Sequence, residues 1–387
     1  MGEHSNAVKK YISETMNVVC ICVVVTLMGS LTLKYAFKGG NGTFYKLLKE
    51  KVDDYFTESK LHPAGNGKLY VKSALQILSA TILYVVLVFF TPVVPLALLL
   101  CVALGINLAL IGFNVMHEGG HQAFSSNARM NSVSAYFLNV LGGISYYWKI
   151  KHNINHHTYT NVEGMDSDID VKPFMRLHVD QPLRGYHRFQ HIYWVVLYGI
   201  SYLAWIFYED FVKYFSGKVS VNGEKKALAM REHVVFWFTK VIYLGVYVFI
   251  PIVMVGWLSW LLGFLVITII CGLVISVVFQ LAHVVGGTHF HSAKGDRGDA
   301  TQEWAIHQVE STSNFGTSSK SLHWLLGGLN FQIEHHLFPR VSHIHYPAIS
   351  RLVRDACREA GIVYNEHTSL WEALVSHLHY LWRLGRA

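Results

Sequence analysis

Two long stretches of this chain carry no charged residue, and they constrain its fold more than any other feature. Residues 73–91 (SALQILSATILYVVLVFFT) and 96–115 (LALLLCVALGINLALIGFNV) are free of Asp, Glu, Lys and Arg, and Pro92 and Pro95 fall between them. Each is close to the run of about 20 apolar residues that carries a helix across the hydrocarbon core of a bilayer. Backbone groups in hydrocarbon must bond within their own segment, so the pair reads as a helical hairpin. A second pair spans 235–255 and 257–281, broken near Pro251 and Gly256, with Lys240 placed to snorkel toward the interface. Composition agrees: 52% hydrophobic and only 15% charged residues is too apolar for an ordinary soluble domain. The expected fold is an all-α integral membrane protein, with two transmembrane hairpins under a cytoplasmic helical cap.

The Lys/Arg distribution orients it. Residues 34–72 hold eight lysines, 116–233 hold twelve Lys/Arg and 284–387 hold nine, while the hairpin tips hold none. These segments are expected to be cytoplasmic, with the cap built from 116–233 and 284–387. Two further apolar stretches, 132–147 and 192–207, are short, rich in Tyr and Trp and interrupted by Gly, and are expected to lie at the interface. Making just one of them a span would put the motifs described next on opposite faces. The run 16–33 follows Lys9 and Lys10 without a small-residue cleavage site, so it is expected to be an extra anchor with the N-terminus outside. The domains are then an N-terminal extension, 1–43, and one membrane domain, 44–387. The five cysteines form no readable disulfide framework or thiolate metal site.

The polar segments carry histidines in clusters. His117-Glu-Gly-Gly-His121 follows the second apolar run, Trp148 to Asn161 reads WKIKHNINHHTYTN with His152, His156 and His157, and Gln332-Ile-Glu-His335-His336 lies in the C-terminal region. Neutral imidazole is the commonest protein ligand for a transition metal. His117 and His121 share a helix face, as do His152 and His156, while His157 points about 100° away, so the second box offers ligands to two metals. His335 and His336 repeat the adjacent pair, and doubled histidines in two boxes argue for a dimetal site. His283, at the cytoplasmic end of the last span, joins them as an eighth ligand.

An all-imidazole site suits iron doing oxygen chemistry; zinc binds imidazole but supplies no redox electrons. Gln332, Glu118, Glu334 and Asp166 are candidates for ligands or for acceptors that orient the ring N–H groups, and Asp168 and Asp170 for acceptors or solvated charges. HEGGH also matches the H-E-x-x-H zinc protease signature with Glu118 as base, but that reading leaves the other boxes unexplained. A bis-histidine haem carrier would place its histidines within facing spans, whereas these sit at helix ends and in loops.

The chain resembles the membrane fatty acyl desaturases of the bacterial acyl-lipid or acyl-CoA type. HEGGH, HNINHH and QIEHH, with GGLNFQIEHHLFP (327–339) and HYPAIS (345–350), carry the resemblance from about residue 44 to the end. It implies that His117, His121, His152, His156, His157, His283, His335 and His336 hold two irons. Gln332 opening the third box is similar to front-end desaturases, which act between an existing double bond and the carboxyl end. Many of those carry a fused cytochrome b5 domain with a His-Pro-Gly-Gly motif; here His62-Pro-Ala-Gly65 is the nearest match, with nothing around it to fold as a haem domain. The resemblance then implies a separate electron donor, a ferredoxin or a free cytochrome b5 with its reductase.

The expected reaction uses O2 to remove hydrogen from two neighbouring methylenes of an acyl chain borne on lipid, CoA or carrier protein, leaving a cis alkene and water. Tyr146, Tyr147 and Trp148 are candidates for the wall of the acyl channel, or equally for an aromatic belt. The basic face suits acidic redox partners and phosphate-bearing acyl groups, or reflects the positive-inside bias alone. No nucleic-acid partner is expected. A lipid hydroxylase of the same architecture remains the alternative activity.

Overall fold

The computed structural model describes residues 36–37, 42–219, 225, 227–292, 299–300 and 303–387. The expected anchor at 16–33 lies outside these residues, as do Cys20 and Cys22.

The fold is helical, with three two-residue parallel strand pairs as its only sheet among the described residues. Helix α1 is Thr43–Ser59, α2 Gly67–Phe89 and α3 Val94–Gly120. Helices α4 (Ala128–Ala135) and α5 (145–159) follow, then α6 (Gly185–Ser216), α7 (Met230–Val255) and α8 (Trp257–His283). The C-terminal region adds α9 (Trp304–Ser311), α10 (Gln332–Leu337), α11 (Tyr346–Ala360) and α12 (Leu370–Leu384).

Helices α2, α3, α7 and α8 extend the four apolar runs. Asn66 caps α2 by accepting from the Lys68 amide, and Pro95 sits in the first turn of α3, where its missing N–H costs nothing. Within this hairpin Asn107 donates to the Gln76 carbonyl at 2.9 Å and to Ser79 Oγ at 2.8 Å, a polar clamp between two otherwise apolar helices. The Tyr84 hydroxyl of α2 reaches the Val246 carbonyl of α7 at 2.6 Å, which joins the two hairpins.

Two expectations change. Among the described residues five helices, not four, are long and apolar enough to cross a membrane, because the stretch at 192–207 is the centre of the 32-residue helix α6. Its Tyr, Trp and Gly residues, which read as an interruption, are packed instead: Tyr198 and Tyr202 are buried, and Ser201 Oγ meets Ser276 Oγ of α8 at 2.8 Å. Lys240 does not snorkel. It is 5% exposed and donates to the Gly142 and Ile206 carbonyls, both at 2.7 Å, and to Asp210 Oδ2 at 3.1 Å. Asp210, on α6, is a partner too distant in sequence to anticipate.

The remaining helices form a layer over the histidine-bearing ends of the spans. Phe44, Leu48, Val52 and Phe56 of α1 pack with Ile349, Val353, Ala356 and Cys357 of α11 and with Ile333 and Leu337 of α10. Helix α12 is tied down by His377, whose Nδ1–H donates to the Val284 carbonyl at 2.6 Å while Nε2 meets the Tyr198 hydroxyl at 2.9 Å. His62-Pro-Ala-Gly65 is a turn that stitches this layer to the first box: Ser342 N–H donates to Pro63 O at 2.8 Å and Gly65 N–H to Ala123 O at 2.9 Å.

Candidate metal centre

The structure brings all eight histidines together, none more than 8% exposed. Ring nitrogens of His117, His121, His152 and His335 lie within 4.8 Å of one another, those of His156, His283 and His336 form a second such group, and His157 joins His335 and His336. His157 is the bridge: its ring is 4.7 Å from that of His335 and 4.3 Å from that of His336.

Local backbone explains the grouping. The segments Gly112–His117 and Lys149–His156 are π-helical, wider turns than the α-helix. Residues four apart still share a face there, and His152 and His156 keep the expected pairing, with their rings stacked 5.2 Å apart. His152 turns to the first box, with its Nε2 3.2 Å from that of His117, and His156 turns to His283, ring to ring at 4.7 Å. A carboxylate also comes near, since Asp168 forms a further group with His152 and His156.

The two glycines of HEGGH, which weaken a helix by propensity, are required by close packing. A Cβ on Gly119 would sit 2.6 Å from the Ala135 amide nitrogen, and one on Gly120 would sit 2.2 Å from Cζ3 of Trp148. That indole stacks on His152 at 4.6 Å and meets His117 and His121 edge-on, each at 5.6 Å. Of the three aromatic channel candidates, Trp148 alone makes ring contact with these histidines among the described residues. Tyr147 and Tyr146 pack away from them, in a cluster with Ile144 and Phe236.

Ring orientation is set from outside the cluster. His156 Nδ1–H donates to Asp166 Oδ2 at 3.0 Å, His336 Nδ1–H to Gln308 Oε1 at 2.8 Å, and His335 Nδ1 meets the Tyr346 hydroxyl at 3.3 Å. Fixing the proton on Nδ1 leaves the Nε2 lone pair for a metal. Among the described residues the Nε2 atoms of His121, His156 and His335 are buried without a partner, the signature of lone pairs meant for something else. An all-imidazole set with unused, converging nitrogens fits two transition-metal ions.

The other candidates are placed differently. Glu118 turns away from the rings to accept from Ser342 Oγ at 2.8 Å and His343 Nδ1 at 2.7 Å, and Glu334 accepts from Asn314 Nδ2 and the Tyr364 hydroxyl, each at 2.8 Å. Asp168 binds Lys151 at 2.6 Å and Asp170 binds Lys172 at 3.2 Å. The Gln332 amide Nε2 lies 3.0 Å from His283 Nε2 and 3.5 Å from His336 Nε2, directly at the second group. Sequence reasoning missed Gln308, Thr160, Tyr346 and Trp304, whose indole N–H donates to the His157 carbonyl at 3.2 Å. Only Tyr346 carried a signal, its place in the HYPAIS string.

Burial, reinforced by neighbouring imidazoles, drives the pKa values of His121, His152, His157, His335 and His336 well below the ordinary range, which favours the neutral imidazole that binds a metal. His156 is the exception: burial opposes its charge, but Asp166 and Asp168 outweigh burial and raise it. Burial pushes Glu334 up to about 7.

Comparison with known proteins adds a family and several relatives. Residues 92–368 match the family described as fatty acid desaturase. The sn-1 linoleoyl-lipid 6-desaturase of a Synechocystis strain is 33% identical over 357 residues, covering 92% of this chain and 98% of the relative. The acyl-lipid (8-3)-desaturase of Physcomitrium patens is 33% identical over 387 residues, covering 97% of this chain and 79% of the relative. The sn-1 linoleoyl-lipid 6-desaturase of Arthrospira platensis is 32% identical, covering 92% and 96%.

Proposed function

The chain belongs to the fatty acid desaturase family and is an oxidoreductase that desaturates fatty acyl chains; from that premise we propose that its eight buried histidines hold two irons and that it is a front-end desaturase. The observation carrying the metal assignment is the convergence of two groups of unused imidazole nitrogens where the three boxes and His283 meet.

His117, His121, His152 and His335 would hold one iron, His156, His283 and His336 the other, and His157 would stand between them. Gln332 has a buried Oε1 without a partner among the described residues, and an amide turned over presents that oxygen to the second group as a further ligand. When bound, the irons would supply reductive activation of O2, so that two methylenes, O2, two electrons and two protons give an alkene and two waters. The protein's own part is positional. Asp166, Gln308 and Tyr346 hold the ring protons outward, Trp148 closes the wall beside the first group, and the α1, α10 and α11 layer keeps bulk water away.

The metal-bearing face is assigned to the cytoplasm by its excess of Lys and Arg. For all the boxes to share that face, helix α6, although long enough to span, must begin and end on it. At its start His187 Nε2 meets the Pro173 carbonyl and Gln190 Nε2 donates to the Leu381 carbonyl. At its end the Tyr214 hydroxyl meets His233 at the head of α7, so both ends reach the histidine side. Residues 44–387 form one catalytic domain. Electrons come from a separate ferredoxin or cytochrome b5. The substrate is a fatty acyl lipid, and the relatives named as 6- and (8-3)-desaturases support insertion on the carboxyl side of an existing double bond.

Expression in a host supplied with linoleate, followed by gas chromatography and mass spectrometry of the fatty acids, tests this. The expected product is a chain with a new double bond nearer the carboxyl end, formed only when a ferredoxin or cytochrome b5 system is present. Desaturation of stearoyl chains in a host without unsaturated substrate would remove the front-end assignment and leave the metal assignment standing.

A further inference from the structure

We infer that Lys72 and His343, which belong to no histidine box, are positioning residues that set the first box through Glu118; this rests on the dimetal reading above. Lys72 lies near the start of α2 and is 5% exposed. Its Nζ donates to the Trp324 carbonyl at 2.9 Å and to His343 Nε2 at 3.0 Å. On the other side of the ring, His343 Nδ1–H donates to Glu118 Oε1 at 2.7 Å, and the same carboxylate accepts from the His343 main-chain N–H at 3.1 Å and from Ser342 Oγ at 2.8 Å.

The geometry selects one tautomer. His343 must carry its proton on Nδ1 toward the carboxylate and offer the Nε2 lone pair to the ammonium. A buried cation and a buried anion, too far apart to touch, are thereby paired through a neutral ring, and the three-membered chain is uncharged as a whole. Its members come from the first hairpin helix, the first box and the C-terminal layer. The ring is held close by the backbone of Gly328, which at φ +73° has no side chain; a Cβ there would fall 2.5 Å from that of His343.

Glu118 stands between His117 and His121, yet its carboxylate leaves the metal side entirely. The second and third boxes are oriented by acceptors on the ligand rings themselves, through Asp166, Tyr346 and Gln308. For the first box the anchor acts on the chain between the ligands, fixing the rotation at which both rings face His152 and His335.

The test uses the full-length protein in lipid nanodiscs after iron-replete expression, with iron content followed during stepwise chelation. His343→Ala should weaken the first group roughly 10- to 100-fold, so that about half of the metal is stripped at a chelator concentration that leaves wild type loaded. His343→Gln, with an amide donor and acceptor in place of the ring, should keep most of the metal. In a cycle on thermal unfolding, Lys72→Met with Glu118→Gln should unfold above either single variant, because each single change strands one buried charge. Wild-type chelation of His343→Ala, equal loss from both groups in the Ala and Gln variants, or additive behaviour in the cycle would each overturn the inference. A wild type that holds iron but forms no product would instead count against the functional reading, and the cycle, which needs no metal, separates the two failures.

Discussion

Replacing His283 by alanine is expected to abolish desaturation while the protein still accumulates in the membrane. His283 is fully buried at the last turn of α8, its ring 4.7 Å from His156 and 5.0 Å from His336. Its removal leaves the second group two imidazoles and the Gln332 amide, and a site short of a ligand loses its metal before the fold fails. Insertion should not suffer, since the other residues of this 27-residue helix keep its apolar character. Gas chromatography of the fatty acids should show no product, membrane immunoblots should match wild type, and iron should fall from about two per chain toward one. Full activity in His283→Ala would show that the centre closes without it.

A single added methyl should do almost as much damage at Gly120. The Cβ of Gly120→Ala would meet Trp148 at 2.2, 2.9 and 3.1 Å, and the indole cannot retreat freely because it is stacked on His152 and edged against His117 and His121. Overpacking of this kind costs about 1–3 kcal/mol in stability. The functional effect should be larger, since a displacement of about 1 Å at reacting groups can cost on the order of 100-fold in rate. Restoring space with Trp148→Phe in the same chain should recover iron binding. Gly67→Ala is the control: its Cβ meets nothing within 4 Å, and activity should be unchanged. Rate and iron content of the three variants decide the matter; an active Gly120→Ala would mean that Trp148 is not fixed by the box.

How much of this was readable in advance depends on the range of the interaction. The apolar runs and histidine spacings are local, so α2, α3, α7, α8 and the membership of the cluster follow from reading along the chain. The partition within the cluster does not, because it depends on π-turns that have no simple residue signature: His152 and His156 stack as their spacing predicts, yet His152 joins the first box and His156 joins His283. Asp210 beneath Lys240, Gln308 behind His336, and His343 behind Glu118 lie 30, 28 and 225 residues from their partners, and no periodicity links them. Helix α6 was underestimated for a different reason. Its aromatic and glycine content resembles an interface segment because packing against α8 uses those same residue types.

The π-turns also make the ligand set depend on residue count as well as residue identity. A π-turn accommodates one more residue than the α-helical ladder, so each of these segments holds its histidines at a phase that a shorter stretch would lose. Ile154 in the middle of Lys149–His156 is 56% exposed, and exchanging it for alanine should matter little. Excising it should close the π-turn to an α-helix and put His156 three residues after His152 instead of four, shifting its ring relative to His283 while every box histidine remains in the chain. Among natural variants of this chain, the segments 112–117 and 149–156 should therefore drift in side chain yet keep their length.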